Sequence, residues 1–342
     1  MFLPFTPRVR ICVAVVGLGF TDRIRRCLDS LVTHEAEHEF TVVCVVNPTT
    51  RHDSGEPLGL PSGVEVIHPE LNLGWAGGLH AARAITEGDY LVWVQEDMVV
   101  VDGWLDALVD AADERPTGGA FGSVGESESG EVVLYNAGRA EPADAVQLWN
   151  LTDPTADSLP TEPTPFDWVT SKGMLVRLTA WDELGGPDPR LYPLNHVDKD
   201  FGTHLRAHGW QNFVVPRARL RHEGSMSSPS YFRYFVAPWQ EDDFNARWSP
   251  VVRAMVDRPG PVDHECAPWR GQPFGEIERL IGREASRMLV PVARQLTDWH
   301  RRDLRALQAQ LDAMLNSRSW RALAPARAIL SRFRRTGTTH ML

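Results

Sequence analysis

The strongest constraint on the fold of this chain is the alternation, over its first hundred residues, of unbroken apolar runs with amphipathic stretches. The runs 10-RICVAVVGL, 40-FTVVCVVN, 64-VEVIH and 90-YLVWVQED are rich in Val and Ile and, the third aside, lack the polar alternation of a half-buried strand. Between them, residues 23–31 set Ile24, Cys27, Leu28 and Leu31 on one helical face, and a second helix is predicted around Leu79–Ile85. Strands buried on both faces, with helices between them, predict an α/β fold with a mostly parallel central sheet. Ligands of such sheets gather where the strands end, which here means Gly17–Phe20, Asn47–Thr50 and Gln95–Asp97.

Beyond residue 115 the pattern loosens. The stretches 118-GGAFGSVGESESGE and 153-DPTADSLPTEPTP read as surface loops around short strands. A helix is expected from about Leu178, and an apolar run, Asn212–Val215, is closed by Pro216. Residues 226–275 read as an irregular aromatic and Pro-rich segment packed on the body. From Glu276 the chain reads as helix, broken at Pro291 and Pro325, with Leu304, Leu307, Leu311 and Met314 in one stripe.

With 342 residues, 43% of them apolar, the chain is long enough for a large core. Its net charge of -10 argues against a general nucleic-acid binder. That charge is uneven, because residues 276–342 hold 13 arginines against six acids and form a basic tail on an acidic body. Cys12, Cys27, Cys44 and Cys266 show no CxxC pairing, which predicts a reduced, cytoplasmic setting without a disulfide frame or zinc knuckle. The apolar run Ile11–Phe20 is far short of the roughly 20 residues of a membrane span, and no signal-peptide pattern opens the chain.

Four motifs carry candidate chemistry. The turn 17-GLGFTD follows a strand and precedes a helix like a dinucleotide fingerprint, but Asp22 replaces its third glycine and Asn47 stands where a ribose-binding acid is needed. The Gly-rich turn 70-ELNLGWAGGLHAARA either cradles a phosphate on backbone amides or merely makes a tight turn. In 91-LVWVQEDMVV two adjacent acids interrupt a buried strand, and such acids are costly unless paired or bound to a cation. Finally, 196-HVDKDFGTHLRAHGW sets Asp198 and Asp200 at a helix start, either as a cap or as chemistry, and His222 follows in 218-ARLRHEG.

In order along the chain, 11-ICVAVVGLGFTDRIRRCLDSL, 42-VVCVVNPTT, 72-NLGWAGGLHAA, 91-LVWVQEDMVV with 103-GWL, 172-KGMLVRLTAWDELGGPDPRLY, 198-DKDFGTHLRAHGW and 222-HEG resemble the family 2 glycosyltransferases. The likeness is to the branch of rhamnosyl- and galactofuranosyl-transferases and covers about residues 9–250. It implies a glycosyltransferase-A fold, a nucleotide-sugar donor, a divalent metal (Mn2+ or Mg2+) and inversion at the anomeric carbon. By position, Asp198 falls on the catalytic base, and Asp97 and His222 fall on the metal shell. Gly17, Asn47, Asn72, Gly74, Gly78, Glu96 and Asp97 fall on the donor side, and Gly173 and Asp200 on the acceptor side. Gln95, Asn47 and Val197 depart from the acids usual at their positions: the Gln95 change implies fewer carboxylates for the metal, and the Asn47 change implies a departure from the usual nucleotide preference.

The implied organisation is a catalytic domain over 1–225, with a nucleotide-sugar half at about 9–115 and an acceptor half at about 116–225. The segment 226–275 and a basic helical tail, 276–342, follow. The implied acceptor is a cell-surface glycan or a lipid-linked hydroxyl, because 317-SRSWR resembles the closing segment of polysaccharide-assembly enzymes. Expected partners include no nucleic acid, and the tail is expected to dock on the protein's own body, to form a homodimer, or to touch the inner face of the membrane peripherally. The alternative readings are an NAD-dependent oxidoreductase and a catalytically silent sugar-binding relative.

Overall fold

The computed structural model describes residues 11–49, 59–127, 129–134, 136–140, 149–151, 160–222, 236–257, 260–265 and 267–316. The apolar runs form the strands expected of them. β1 (Ile11–Leu18) is buried up to its last residue. α1 (Asp22–Val32) starts where Thr21 Oγ1 accepts from the Ile24 amide, and it buries Ile24, Cys27, Leu28 and Leu31. β2 (Phe40–Asn47), β3 (Val64–Ile67), α2 (Gly74–Ile85), β4 (Tyr90–Gln95), β5 (Met98–Val100) and α3 (Trp104–Glu114) complete the first half. The second half runs through β6 (Gly118–Glu126), β7 (Val132–Leu134), β8 (Ala137–Ala140), β9 (Trp149–Leu151), β10 (Thr164–Phe166), β11 (Trp168–Val169) and β12 (Met174–Arg177). It closes with α4 (Leu178–Leu184), α5 (Val197–Ala207), β13 (Gln211–His222), α6 (Ala237–Asp257) and α7 (Phe274–Asn316).

Among the described residues the main sheet has the order β10-β13-β6-β12-β4-β1-β2-β3, and β11-β8-β9 form a smaller one. β3, β2, β1 and β4 are mutually parallel. β12 then enters antiparallel between β4 and β6, and β13 lies parallel to β6. A core of Val13, Val15, Leu28, Val92, Val94, Trp104, Leu108 and Phe121 fills one face of this sheet.

Four expectations are corrected. The Gly-rich stretch from 118 is not a surface loop but a strand, β6, buried along its whole length. Its glycines admit close neighbours: a Cβ at Gly122 would lie 2.6 Å from Val169 Cβ, so β11 can lie against it only because the side chain is absent. The aromatic segment after 226 contains the 21-residue helix α6, whose Phe244, Trp248, Val252 and Met255 recur every three or four residues and pack with Trp168 and Ala207. β13 continues past Pro216 because a register shift between Val214 and Arg219 absorbs the missing donor. α7 passes through Pro291 without ending.

By its internal contacts the chain divides into the units Met1–Arg287 and Met288–Leu342. In the second unit Trp299, Leu304 and Leu307 are exposed. Pro325, the 317-SRSWR stretch, Cys266 and residues 226–235 lie outside the described residues.

At the end of α5, His204, His208 and His264 cluster with ring centroids 4.8–6.2 Å apart, and His204 also lies 5.9 Å from Trp248. Burial, with the neighbouring imidazoles, lowers His204 to about 3 and lowers His264 as well. The unfolded chain protonates these groups near the ordinary value of about 6.5, so their contribution to stability is complete above that pH and is lost as the pH falls towards 3. The melting temperature is therefore expected to drop between pH 7 and pH 5. His204→Gln is expected to flatten that slope in a thermal-melt series across pH, and an unchanged slope would place the dependence elsewhere.

Candidate active site

Three strand pairings assemble the site. β4 is antiparallel to β12 with Trp93 opposite Met174, so the end of β4 at Gln95 meets the residues just before β12, Ser171 and Lys172. β5 is antiparallel to β13 with Met98 opposite His222, which sets His222 beside Asp97. β4 is also parallel to β1 with Gln95 opposite Val16, so the Glu96–Asp97 turn faces Gly17 and Leu18. The first turn of α5 then delivers Asp198, whose Oδ2 accepts from the Ser171 amide at 3.0 Å.

Both acids of the β4–β5 turn are buried, and they do different things. Glu96 reaches back to β1, where its Oε2 accepts from the Leu18 amide at 2.9 Å. A Cβ at Gly17 would stand 2.6 Å from that oxygen, so the glycine is what lets the carboxylate in. Burial pushes the Glu96 carboxyl above its ordinary value, opposed by the Leu18 hydrogen bond and the charge of Arg23. Asp97 instead faces His222, with Oδ2 3.0 Å from Nε2.

Among the described residues no group of three His, Cys, Asp or Glu side chains is arranged to hold a metal ion. Asp97 and His222 are a pair, one carboxylate and one imidazole side by side. A carboxylate with an imidazole suits Mn2+ better than Mg2+, which prefers oxygen ligands alone, and leaves most of the coordination sphere to substrate oxygens and water. The residues present therefore fit an open divalent site with two protein ligands. Gln95 stands beside this pair without a carboxylate, and its Nε2 donates to Ser171 Oγ at 3.1 Å.

Asp198 is held at both oxygens. Oδ2 accepts from the Ser171 amide and, at 3.4 Å, from the Ser171 hydroxyl, and Oδ1 accepts from the Lys199 amide at 2.9 Å. His196, just before the helix, stacks on Phe244 with centroids 4.9 Å apart, and burial lowers it to about 4, so it is neutral at pH 7. Two lysines flank the carboxylate. Burial lowers Lys172, against which the charges of Asp97 and Asp198 work, and burial lowers Lys199, against which Asp198 and Glu241 work. Lys199 Nζ also sits 5.1 Å from the centre of the Trp168 ring.

The remaining expected residues divide. Asn47, almost fully buried, spends its amide on the fold: Oδ1 accepts from the Leu73 amide at 2.8 Å and Nδ2 donates to the Gly74 carbonyl at 3.3 Å. Asn72 Oδ1 accepts from the Gly74 amide at 2.8 Å, and the Trp75 amide donates to the Pro193 carbonyl. The three amides that lead into α2 are thus paired within the protein, so the turn does not present them to a phosphate. Gly74 has φ +67° and lies against the Pro193 backbone, and Gly78 lies against Val16. On the acceptor side, the Gly173 carbonyl accepts from Ser123 Oγ. Asp200 is turned away from Asp198 into a buried cluster with Arg247 and Trp248.

Ser171 and Lys172 were not visible as site residues from the sequence motifs. One signal was available for the lysine: the chain has 33 arginines and only two lysines, Lys172 and Lys199, and both stand beside Asp198.

Comparison with known proteins supplies the context for this geometry. Residues 20–179 match the family model described as glycosyl transferase family 2. The N-acetylglucosaminyl-diphospho-decaprenol L-rhamnosyltransferases of Mycobacterium tuberculosis strains CDC 1551 / Oshkosh and ATCC 25618 / H37Rv are each 30% identical to the chain. The alignment of 208 residues covers 52% of this chain and 66% of theirs, just under two thirds of the length of those proteins. A crystal structure of GalNAc-T7 with UDP, GalNAc and Mn2+ superposes with a TM-score of 0.52 at 17% identity, covering 82% of this chain and 55% of that one. This likeness shows the glycosyltransferase-A fold.

Proposed function

With a glycosyl transferase family 2 domain over residues 20–179 as the premise, we propose that the chain moves a sugar from a nucleotide sugar to a hydroxyl of a lipid-linked or glycan acceptor, with inversion at the anomeric carbon. The observation that carries this reading is a carboxylate fixed at both oxygens, Asp198, at the same sheet end as the Asp97–His222 pair. In a direct displacement one carboxylate takes the proton of the attacking hydroxyl and no covalent nucleophile is needed, which is why the product is inverted. Asp198 is that base. Asp97 and His222 would hold the divalent cation, which when bound would neutralise charge on the departing nucleoside diphosphate. Lys172 lies near both Asp97 and Asp198, whose charges favour its protonated form against the effect of burial. Glu96, Gly17, Asn47, Asn72, Gly74 and Gly78 shape the donor side of the cleft.

A diphosphate-linked lipid acceptor is supported by the activity named for the mycobacterial relatives. It is also supported by the exposed Trp299, Leu304 and Leu307 on a helix within a basic tail, a pattern that suits peripheral contact with an anionic membrane surface. No helix among the described residues is long and apolar enough to cross a membrane. Cys12, Cys27 and Cys44 are buried free thiols, which favours the cytoplasmic face for this work.

The test is a thermal-shift screen of UDP-, GDP- and dTDP-sugars with and without Mn2+, since a ligand that binds only the folded state raises its melting temperature. A metal-dependent shift for one nucleotide class is expected, and Asp97→Ala and His222→Ala are each expected to raise the Mn2+ concentration required by about 10-fold or more. Full turnover in EDTA would overturn the metal assignment, and the absence of a shift with every nucleotide sugar would overturn the donor reading.

A further inference from the structure

We propose that Gln95 and Ser171 form a positioning pair that holds Asp198 in its working orientation, so that the glutamine standing where the family resemblance implies an acid serves the base rather than the metal. The inference rests on Asp198 being the base. Its geometry is a chain of three side chains from three separate elements. Gln95 ends β4, Ser171 lies in the short connection between β11 and β12, and Asp198 lies in the first turn of α5. The distances are 3.1 Å from Gln95 Nε2 to Ser171 Oγ and 3.4 Å from Ser171 Oγ to Asp198 Oδ2, with the Ser171 amide at 3.0 Å from the same carboxylate oxygen.

The polarity of the chain follows from the donor inventory. The amide nitrogen of Gln95 only donates, so Ser171 Oγ accepts from it with a lone pair and its hydroxyl proton is left to point at Asp198. Ser171 is buried, so water does not compete for that proton. An acid at position 95 would reverse this arrangement: a carboxylate only accepts, and the Ser171 proton would turn towards it and away from Asp198. An acid there would also crowd a third carboxylate against Glu96 and Asp97. Glutamine is the residue that keeps the shape of an acid and directs the hydroxyl to the base.

This makes opposite predictions for one substitution. If position 95 were a weakened metal ligand, Gln95→Glu would lower the Mn2+ requirement and raise turnover. If it is a positioning residue, Gln95→Glu lowers kcat with no gain in Mn2+ affinity. The assay is release of nucleoside diphosphate from the nucleotide sugar selected by thermal shift, with water as acceptor, so no lipid substrate is required. The expected result is a loss of about tenfold in kcat for Gln95→Glu and for Ser171→Ala, with KM for the donor unchanged and with partial rescue by Ser171→Thr. Added to Asp198→Asn, Ser171→Ala is expected to cost nothing further, because the pair acts through the carboxylate. Normal kcat in Gln95→Glu and Ser171→Ala, while Asp198→Asn is inert, would overturn the positioning role alone. Near-normal kcat in Asp198→Asn would overturn the base assignment on which the role rests.

Discussion

Asp198→Asn is expected to lower sugar transfer about 10²–10⁴-fold while leaving the thermal shift produced by the donor intact. The amide preserves the volume and, through its oxygen, one acceptor for the Ser171 and Lys199 amides that hold the present carboxylate. It cannot accept a proton from an attacking hydroxyl. The measurement pairs initial rates with donor-induced melting shifts. A parallel loss of both would show a defect in folding or in the donor cleft rather than in base catalysis. Asp200 is not expected to substitute, because its Oδ1 is occupied by Arg247 and Trp248 and it is almost fully buried.

Arg247→Met is expected to cost roughly 3–5 kcal/mol of stability, the range for breaking a buried ion pair by removing one partner. Arg247 Nη1 donates to both Asp188, which has no exposed side-chain surface, and Asp200. Asp188 would keep Arg190 as a partner, whereas Asp200 would keep only the indole of Trp248. Burial raises the Asp188 carboxyl, but the Arg190 hydrogen bonds and the charges of Arg247 and Arg190 outweigh it and hold it below its ordinary value. Asp200 is already pushed up to about 6 by burial, with Arg247 opposing. Without Arg247 it would fold protonated, while the unfolded chain ionises it near 4, so the deficit should grow as the pH rises through that range and above. Denaturant titrations at pH 5 and pH 8 check this, and adding Asp200→Asn to Arg247→Met should recover much of the loss. A deficit that is equal at both pH values, or below 1 kcal/mol, would show the cluster to be replaceable.

What the sequence could reveal followed from where the information resides. β1, β2 and β4 were legible because burial on both faces leaves runs such as Val13–Val16 and Leu91–Val94, which need no partner to be recognised. β6 was not, because its glycines carry meaning only once Val169 and Leu205 lie against them, and those contacts are made by distant elements. α6 was hidden by Pro250 and by aromatic residues that look irregular until α5 supplies the surface they cover. Within the candidate site, the adjacent acids Glu96 and Asp97 stood out by interrupting a buried strand, whereas Asp198 and His222 were marked only by their positions in the family resemblance. Ser171 and Lys172 were marked by neither, since their nearness to Gln95 and Asp198 comes from the antiparallel entry of β12 beside β4, a fact of pairing and not of spacing. Asn47 illustrates the reverse case: resemblance set it on the donor side, and the structure engages both ends of its amide in anchoring α2.

The position of β13 has a consequence for how the molecule is made. Among the described residues this strand is the last to be translated, yet it lies inside the sheet, between β6 and β10, and its end carries His222. A chain emerging from the ribosome can pair β1, β2, β3 and β4 early, but β6 keeps one open edge, apolar and without charged residues until Glu126, until residues 211–222 arrive. For that interval the growing polypeptide carries an unpaired strand edge, a template for mispairing with other chains, and His222 is not yet beside Asp97. Synthesis therefore closes this open edge at the same step that supplies His222, the imidazole of the proposed cation pair.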